Sequence, residues 1–215
     1  MLNGQGNELS NNSISKHYFS VNPLNIFLFQ QIGLTYEYKP GKFGYCISAG
    51  YIYPNKKKYS NYFIAGPTNY GSLGYYSGLF INPQLNLYLR QPKNKKSGGL
   101  VFLAFKAVYK YMHIDSTGRY AWDTHSDDYY WKYRRQLDNV NIIGAFIDFG
   151  YRCVIWHLFF ELNVGPGFIF INHNMIVVGE ATGPYPIHPL PEPRHETLNQ
   201  IYPTVNFALN IGFTF

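Results

Sequence analysis

The sequence predicts an all-β protein, an eight-stranded antiparallel transmembrane up-and-down β-barrel with long extracellular loops. Three observations lead to this prediction: 19% aromatic residues beside only 14% charged ones, repeated alternation of apolar and polar positions, and connections that are long and short in turn. Ordinary globular domains are about one quarter charged, so this composition favours strands whose outer surface does not face water. No run of 18 apolar residues occurs, which excludes a transmembrane helix.

Alternation with a period of two residues marks the strands, because successive side chains of a strand point to opposite faces. In the second and third strands the bulky apolar positions are Ile32, Leu34, Tyr36 and Tyr38, then Phe43, Tyr45, Ile47, Ala49, Tyr51 and Tyr53. A tight turn, KPGK at residues 39–42, joins these two strands. The first strand is predicted near HYFSVNPLNIFLF, residues 17–29, although Pro23 interrupts its alternation.

Five further strands follow the same rule. Their apolar positions are Ile81, Leu85, Leu87 and Leu89; Val101, Leu103, Phe105, Ala107, Tyr109 and Tyr111; Ile143, Ala145, Ile147, Phe149 and Tyr151; Phe160, Leu162, Val164, Phe168 and Phe170; and Phe207, Leu209, Ile211, Phe213 and Phe215. Tyrosines near strand ends suit the aromatic girdles of a membrane barrel. A continuous apolar face of this extent would be an aggregation hazard in water, which favours contact with lipid.

All the charged residues inside these strands fall on the face opposite the bulky apolar one. They are Glu37, Arg90, Lys106, Lys110, Asp148 and Glu161. The rest of that face is mostly Gly, Asn, Gln, Ser and Thr, which fit the narrow interior of an eight-stranded barrel. We therefore predict that the six charges form a network in the lumen, with an ion or proton path as the alternative use of the same residues.

Connection lengths set the predicted orientation. Long segments, residues 54–77, 114–139 and 172–201, follow the third, fifth and seventh strands, whereas short ones follow the second, fourth and sixth, at residues 39–42, 91–99 and 152–157. Outer-membrane barrels have short periplasmic turns and longer extracellular loops, so both termini are predicted to be periplasmic. Residues 1–17 are predicted to be a flexible periplasmic segment, and residues 18–215 the barrel domain.

Two of the long segments carry candidate binding residues. In YAWDTHSDDYYWKYRR, residues 120–135, the side chains of Asp123, His125, Asp127 and Asp128 are candidate ligands for a hard cation, although their spacing is not that of an EF-hand. The favoured interpretation of this segment is a hairpin extension or contact surface, since Trp122, Tyr129, Tyr130, Trp131 and Tyr133 are of the types enriched at interfaces. The proline-rich residues 183–196, with Pro189 and Pro191, suit docking of a partner or a position over the barrel mouth.

No sequence motif indicates catalysis or a cofactor. GxSxG, HExxH and P-loop motifs are absent, and His113, Asp115 and Ser116 do not form a relay, because adjacent strand residues point to opposite faces. The lysine clusters at residues 56–58 and 93–96 lack interleaved aromatic residues, which argues against a nucleic-acid site. They are predicted to be solvated turns or loops, with lipid phosphate or lipopolysaccharide as candidate neighbours. Cys46 and Cys153 permit a disulfide without requiring one.

Residues 24–53, LNIFLFQQIGLTYEYKPGKFGYCISAGYIY, and residues 81–90, INPQLNLYLR, resemble the small eight-stranded outer-membrane β-barrels of Bacteroidota. The closing NIGFTF is similar to the C-terminal aromatic signal that such proteins present to the barrel-assembly machinery. The resemblance implies an outer-membrane location in a Gram-negative bacterium, with Phe213 and Phe215 as the insertion signal.

The expected role is non-enzymatic: an accessory or scaffold subunit of a larger outer-membrane complex, or a structural envelope protein. The expected partners are therefore outer-membrane lipid and other outer-membrane proteins. A surface ligand-binding or adhesion barrel and a lipid-modifying outer-membrane enzyme are the alternatives.

Overall fold

The structure, a computed structural model, describes residues 16–53, 69–90, 97–122, 130–182 and 188–215. Its eight strands form one closed antiparallel ring, in which each strand pairs with the next and the last pairs with the first. The strands are β1 (Lys16–Val21), β2 (Gln31–Lys39), β3 (Phe43–Ile52), β4 (Asn69–Arg90), β5 (Ser97–Trp122), β6 (Tyr130–Ile155), β7 (Leu158–Thr182) and β8 (His188–Thr214). The prediction of an all-β chain with eight antiparallel strands in up-and-down order is confirmed.

The ring closes with a stagger of ten residues. Stepping from Glu37 of β2 to its paired residue on β3, and so on from strand to strand through β7, leads to Thr204 of β8. Stepping the other way, through Tyr18 of β1, leads to Thr214 of the same strand, which is ten residues further along. Eight strands with this stagger tilt by about 40° from the ring axis, given a rise of about 3.3 Å per residue and a spacing of about 4.8 Å. The interior of such a ring is just wide enough to be filled by side chains.

The side chains that point outward and inward are those that the alternation predicts. On β6, Ile147, Phe149 and Tyr151 are exposed, whereas Asp148 and Gly150 are buried. The same alternation of exposure holds for the predicted apolar positions of β2, β3, β5, β7 and β8, whose side chains lie outside the ring. Apolar groups therefore cover the lower outer wall, and the charged groups of these strands lie in the lumen together with buried rings such as Phe102.

The first predicted strand is wrong in its second half. β1 begins at Lys16, before the predicted boundary of the barrel domain, and ends at Val21, and helix α1 (Pro23–Phe29) follows it. The side chain of Asn22 caps this helix by accepting a hydrogen bond from the backbone N–H of Asn25 at 3.0 Å. Pro23 lies in the first turn, where its missing N–H costs no hydrogen bond. The proline that interrupts the alternation therefore starts a helix.

The predicted long loops are also in large part strands. Residues 114–122 and 130–139 pair with each other as a hairpin of β5 and β6, and residues 172–182 and 188–201 belong to the hairpin of β7 and β8. β4 to β8 have 22 to 27 residues each, whereas β1 to β3 have 6 to 10. Within the described ranges, the wall is therefore lower on the side of β1 to β3. On the other side, β4 to β8 rise beyond it as a sheet that we call the tall half-wall.

Candidate functional site

Arg152 is the centre of the charged cluster in the lumen. Its guanidinium contacts the carboxylates of both Glu37 and Glu161, and its Nε donates to Glu161 Oε2 at 2.6 Å. The side chains of Arg152, Glu37 and Glu161 are only 2%, 1% and 4% exposed. Burial of three charges is tolerated only when their other polar atoms are also paired.

The second oxygen of each carboxylate has its own donors. Tyr88 donates its hydroxyl to Glu37 Oε1 at 2.5 Å. Glu161 Oε1 accepts hydrogen bonds from the amides of Asn163 and Asn210, at 2.8 Å and 2.9 Å. These bonds give donors to the carboxylate oxygens that do not contact the guanidinium.

Aromatic rings surround the same guanidinium. Its central carbon lies 4.4 Å from the ring centroid of Tyr18, 4.8 Å from that of Phe159 and 5.6 Å from that of Phe102. These rings are buried together with Leu100 and Val154. Ring faces attract cations, and the rings also fill the lumen toward the end where the short connections lie. We call this layer the Arg152 plug.

The structure places the predicted lumen charges as follows. Glu37, Asp148 and Glu161 are buried inside the ring, and Lys106 and Lys110 donate hydrogen bonds across it. The Arg90 side chain lies outside the described part of the chain. Sequence reasoning missed Arg152, because it assigned residues 152–157 to a turn, whereas β6 continues to Ile155. Extending the alternation of β6 by two residues beyond Gly150 would have found it.

The lumen above the Arg152 plug is polar and incompletely filled. Lys106 Nζ donates to Asn206 Oδ1 at 3.3 Å, and Asn206 in turn donates to Asp148 Oδ2 at 2.5 Å. A cavity of about 40 Å³ is lined by Lys106, Asn82 and Asn163, among others. The carbonyl oxygens of Asn82 and Asn163 are buried and have no hydrogen-bond partner among the described residues.

A second buried polar pair lies in the tall half-wall. His173 Nε2 is 3.4 Å from Asp138 Oδ2, and Gln136 donates to the same oxygen at 2.9 Å. Sequence reasoning missed this pair, because Asp138 and His173 fell in segments predicted as loops. Within the described ranges, no group of three or more His, Cys, Asp or Glu residues is arranged to hold a metal ion.

Most predicted loop-site residues lie outside what the structure describes. This applies to the metal candidates Asp123, His125, Asp127 and Asp128 and to Tyr129. The other predicted contact residues have strand backbones, but their side chains are not described: Trp122, Tyr130, Trp131, Tyr133, Pro189 and Pro191. Their predicted roles stay predictions.

The structure also shows the surroundings of the residues that were considered for catalysis and for a disulfide. His113 Nδ1 is hydrogen-bonded to Asn139 Oδ1 at 3.0 Å on the outer face, and Asp115 accepts from Arg135 at 3.3 Å. Cys46 and Cys153 are both free thiols, so the disulfide does not form. Cys46 lines the lumen cavity, where it accepts a hydrogen bond from Asn86 at 3.5 Å.

The outer face of the tall strands changes character along one line. Four residues in register, Tyr109, Ile143, Phe170 and Ile201, form the last apolar row. The next row comprises Tyr111, Asn141, Asn172 and Asn199. Hydrogen bonds lock this polar row, including one from Asn172 to Asn199 at 2.7 Å. The line is therefore a boundary between an apolar belt and a polar surface.

The apolar belt has a height typical of a bilayer core. On β7 the outward residues are apolar from Phe160 to Phe170. Ten steps of about 3.3 Å, tilted by about 40°, give a height of about 25 Å. Transmembrane β-barrels carry an apolar band of about this height.

The chain matches no protein-family model, no curated protein and no solved structure. The resemblance to Bacteroidota barrels therefore stays a prediction. Within the described residues, no helix is both long enough and apolar enough to cross a membrane.

Proposed function

We propose that this chain is an integral outer-membrane β-barrel with periplasmic termini. We further propose that it serves without catalysis, as an accessory or scaffold subunit of a larger outer-membrane complex or as a structural envelope protein. The observation that carries the proposal is the apolar outer belt, which ends at the row formed by Asn141, Asn172 and Asn199. Lipid satisfies such a belt, because the ring closes and leaves no strand edge in its lower part.

The distribution of polarity supports lipid rather than water outside the ring. Ile147, Phe149 and Phe168 are more than half exposed on the outer wall, while Glu37 and Asp148 are buried inside. A water-soluble barrel has the opposite arrangement, with its apolar residues in the interior. Exposed apolar surface of this extent would cause association in water.

The closed lumen supports a role on the outer surfaces. The Arg152 plug fills the ring toward the short connections, so the lumen formed by the described residues offers no open pore for diffusion. The surfaces left for function are the outer wall and the tall half-wall, which projects beyond the apolar belt. The polar half-wall, with contacts such as Thr197 to Asn174 at 2.9 Å, also favours a second candidate function, surface ligand binding or adhesion.

A charge placed in the belt tests the membrane location. We expect Ile147→Arg to lower the free energy of unfolding in lipid vesicles by about 2–4 kcal/mol, because the guanidinium would face hydrocarbon near mid-belt. Asn199→Arg, in the polar row at which the apolar belt ends, is the matched control and is expected to change the free energy of unfolding by less than about 1 kcal/mol. Urea titration followed by tryptophan fluorescence measures both. Equal effects of the two substitutions would contradict a lipid-facing belt.

Extraction from native membranes tests the role in a complex. After cross-linking and solubilisation in a mild detergent, we expect the chain to migrate with a larger outer-membrane protein in stoichiometric amount. A variant without residues 123–129, which connect β5 to β6 in the sequence, controls for contacts made through this connection. Recovery of the chain without a cross-linked partner under the same conditions would contradict the subunit role but would not affect the proposal of a membrane barrel.

A further inference from the structure

The tall half-wall has an open edge along the upper part of β8. β1 pairs with β8 only over residues 211–214. Helix α1 packs against β8 above them, and Asn25 of this helix lines the same cavity as Ala208 and Asn210. Within the described ranges, no strand pairs with residues 194–202 on the side that β1 occupies lower down.

The backbone hydrogen bonds at the lower end of β8 show which way each of its residues points. Thr214 donates its N–H to the carbonyl of His157, in the turn before β7, at 2.8 Å. Phe215 and His17 of β1 exchange both backbone hydrogen bonds at 3.1 Å. Even-numbered residues therefore turn their backbone groups to β7, and odd-numbered residues turn theirs to the side of β1. The pairing with β7 has no register shift over residues 194–213, so this assignment holds along the whole stretch.

Four residues turn their backbone N–H and C=O groups to the open side above α1. They are His195, Thr197, Asn199 and Ile201, and their side chains are exposed on the outer face. Pro193 and Pro203 are the next odd-numbered residues at the two ends. Because their missing N–H groups would point to the open side, neither proline removes a hydrogen bond to β7. We call the four residues between these prolines the free edge of β8.

The free edge lacks several features that commonly prevent a further strand from pairing. Prolines, lysines and β-bulges serve this purpose in many sheets. Residues 195–201 include no proline, no lysine and no register shift. On the outer face, Thr197 and Asn199 are polar and hydrogen-bonded to β7, whereas Leu198 and Tyr202 are partly buried on the inner face. A strand that pairs here therefore needs polar side chains outside and apolar ones inside.

A second copy of this chain does not fit the free edge. Two copies with the same orientation in one membrane are related by an axis along the membrane normal. Strands tilted by about 40° would then cross at about 80°, whereas neighbouring strands of one sheet differ by about 20–25°. An extended segment of a different protein has no such constraint and can follow the direction of β8.

We propose that the free edge of β8 binds an extended strand of a partner protein, which extends the tall half-wall by antiparallel pairing. The backbone groups of the four edge residues supply the hydrogen bonds. The partner strand places polar side chains beside Thr197 and Asn199 and apolar ones beside Leu198. The inference rests on the proposed role of the chain as a subunit, and it names the surface and the kind of segment that this role uses.

A soluble peptide of alternating threonine and valine, with a lysine at each end, tests the edge in phosphatidylcholine nanodiscs that contain the full chain. We expect saturable binding by fluorescence anisotropy, and none to empty nanodiscs. N-methylation of the threonines, whose N–H groups face β8 when their side chains lie outside, is expected to weaken binding by about tenfold or more. N-methylation of the valines, whose N–H groups face away, is expected to change it by less than about threefold. Lack of saturable binding, or equal losses for the two methylated peptides, would overturn the proposal.

Thr197→Pro removes an N–H from the free edge and none that bonds to β7. We expect this variant to keep the heat-modifiable gel migration of the parent chain and to bind the peptide about tenfold or more weakly. Thr197→Ala is the matched control, because it loses the side-chain hydrogen bond to Asn174 but keeps the N–H, and it is expected to retain binding. Unchanged affinity in Thr197→Pro would overturn the proposal. Failure of Thr197→Pro to fold would also overturn it, since the N–H of Thr197 would then be needed by the sheet itself.

Two further experiments distinguish this inference from the proposed function. In a Cys46→Ser and Cys153→Ser background, a disulfide between two copies of Asn199→Cys in lipid vesicles would overturn the partner strand in favour of a second copy. In native membranes, we expect Thr197→Pro to lose the cross-linked partner that the parent chain retains. A variant that keeps this partner would overturn the free edge as the contact, while the subunit role stands. A parent chain that binds the peptide but has no cross-linked partner supports the edge and contradicts the subunit role.

Discussion

Replacing Arg152 with methionine is expected to lower the free energy of unfolding by about 3–5 kcal/mol. The substitution removes the only cation that contacts Glu37 and Glu161 within the described residues, and both carboxylates stay buried. An uncompensated buried charge is far costlier than a missing attractive pair. Urea titration in detergent micelles, followed by fluorescence, measures the change.

Two comparisons make this result specific to the Arg152 plug. Arg135→Met removes a cation from Asp115, but the side chains of that pair are 55% and 41% exposed, so a loss of at most about 1 kcal/mol is expected. Combining Arg152→Met with Glu37→Gln and Glu161→Gln is expected to recover much of the stability, because no unpaired charge then remains. A loss for Arg152→Met no larger than that for Arg135→Met would contradict the buried triad.

Gly50→Ala is expected to destabilise the ring by about 2–3 kcal/mol. Gly50 pairs with Gly33 across β2 and β3, and a Cβ at position 50 would lie 2.1 Å from the backbone oxygen of Ile32. It would also lie 2.7 Å from the ring of Phe80, which packs over both glycines. The strands must separate to admit the methyl group. The midpoint of the urea transition measures the loss.

Gly41→Ala is the matched control for this substitution. Position 41 lies in the turn after β2, and a Cβ there meets no atom within 4 Å. We expect it to change the unfolding free energy by less than about 0.5 kcal/mol. Removing the ring with Phe80→Ala is not expected to rescue Gly50→Ala, because the closest contact is with backbone. Rescue would show that the ring, and not the strand spacing, sets the limit.

Much of the fold follows from local alternation. Each strand has a mainly apolar outer face and a mainly polar inner face, so neighbouring residues in the sequence separate by polarity. For this reason the outward direction of Ile147 and Leu34 and the inward direction of Asp148 and Glu37 could be predicted without knowing which strands pair. Closure of the ring was predicted from the apolar outer face, because a sheet in lipid cannot leave the backbone groups of a strand edge unpaired.

Other features depend on contacts between distant residues. The sequence near Pro23 did not show that helix α1 would follow β1. The position of this helix depends on its packing against β2 and β8, which are distant in the sequence. The hairpins of the tall half-wall have mixed polarity on both faces, which conceals their strand character. Segments such as residues 130–139 therefore resembled loops.

The amino-acid sequence by itself determined the number of strands and the face that β2 to β8 present outward, because the face depends on residues two positions apart. Only the tertiary structure decided that Arg152 joins Glu37 to Glu161, since the three come from β6, β2 and β7. The ten-residue stagger brings them to one level of the lumen, and that stagger is a property of the closed ring rather than of any one strand.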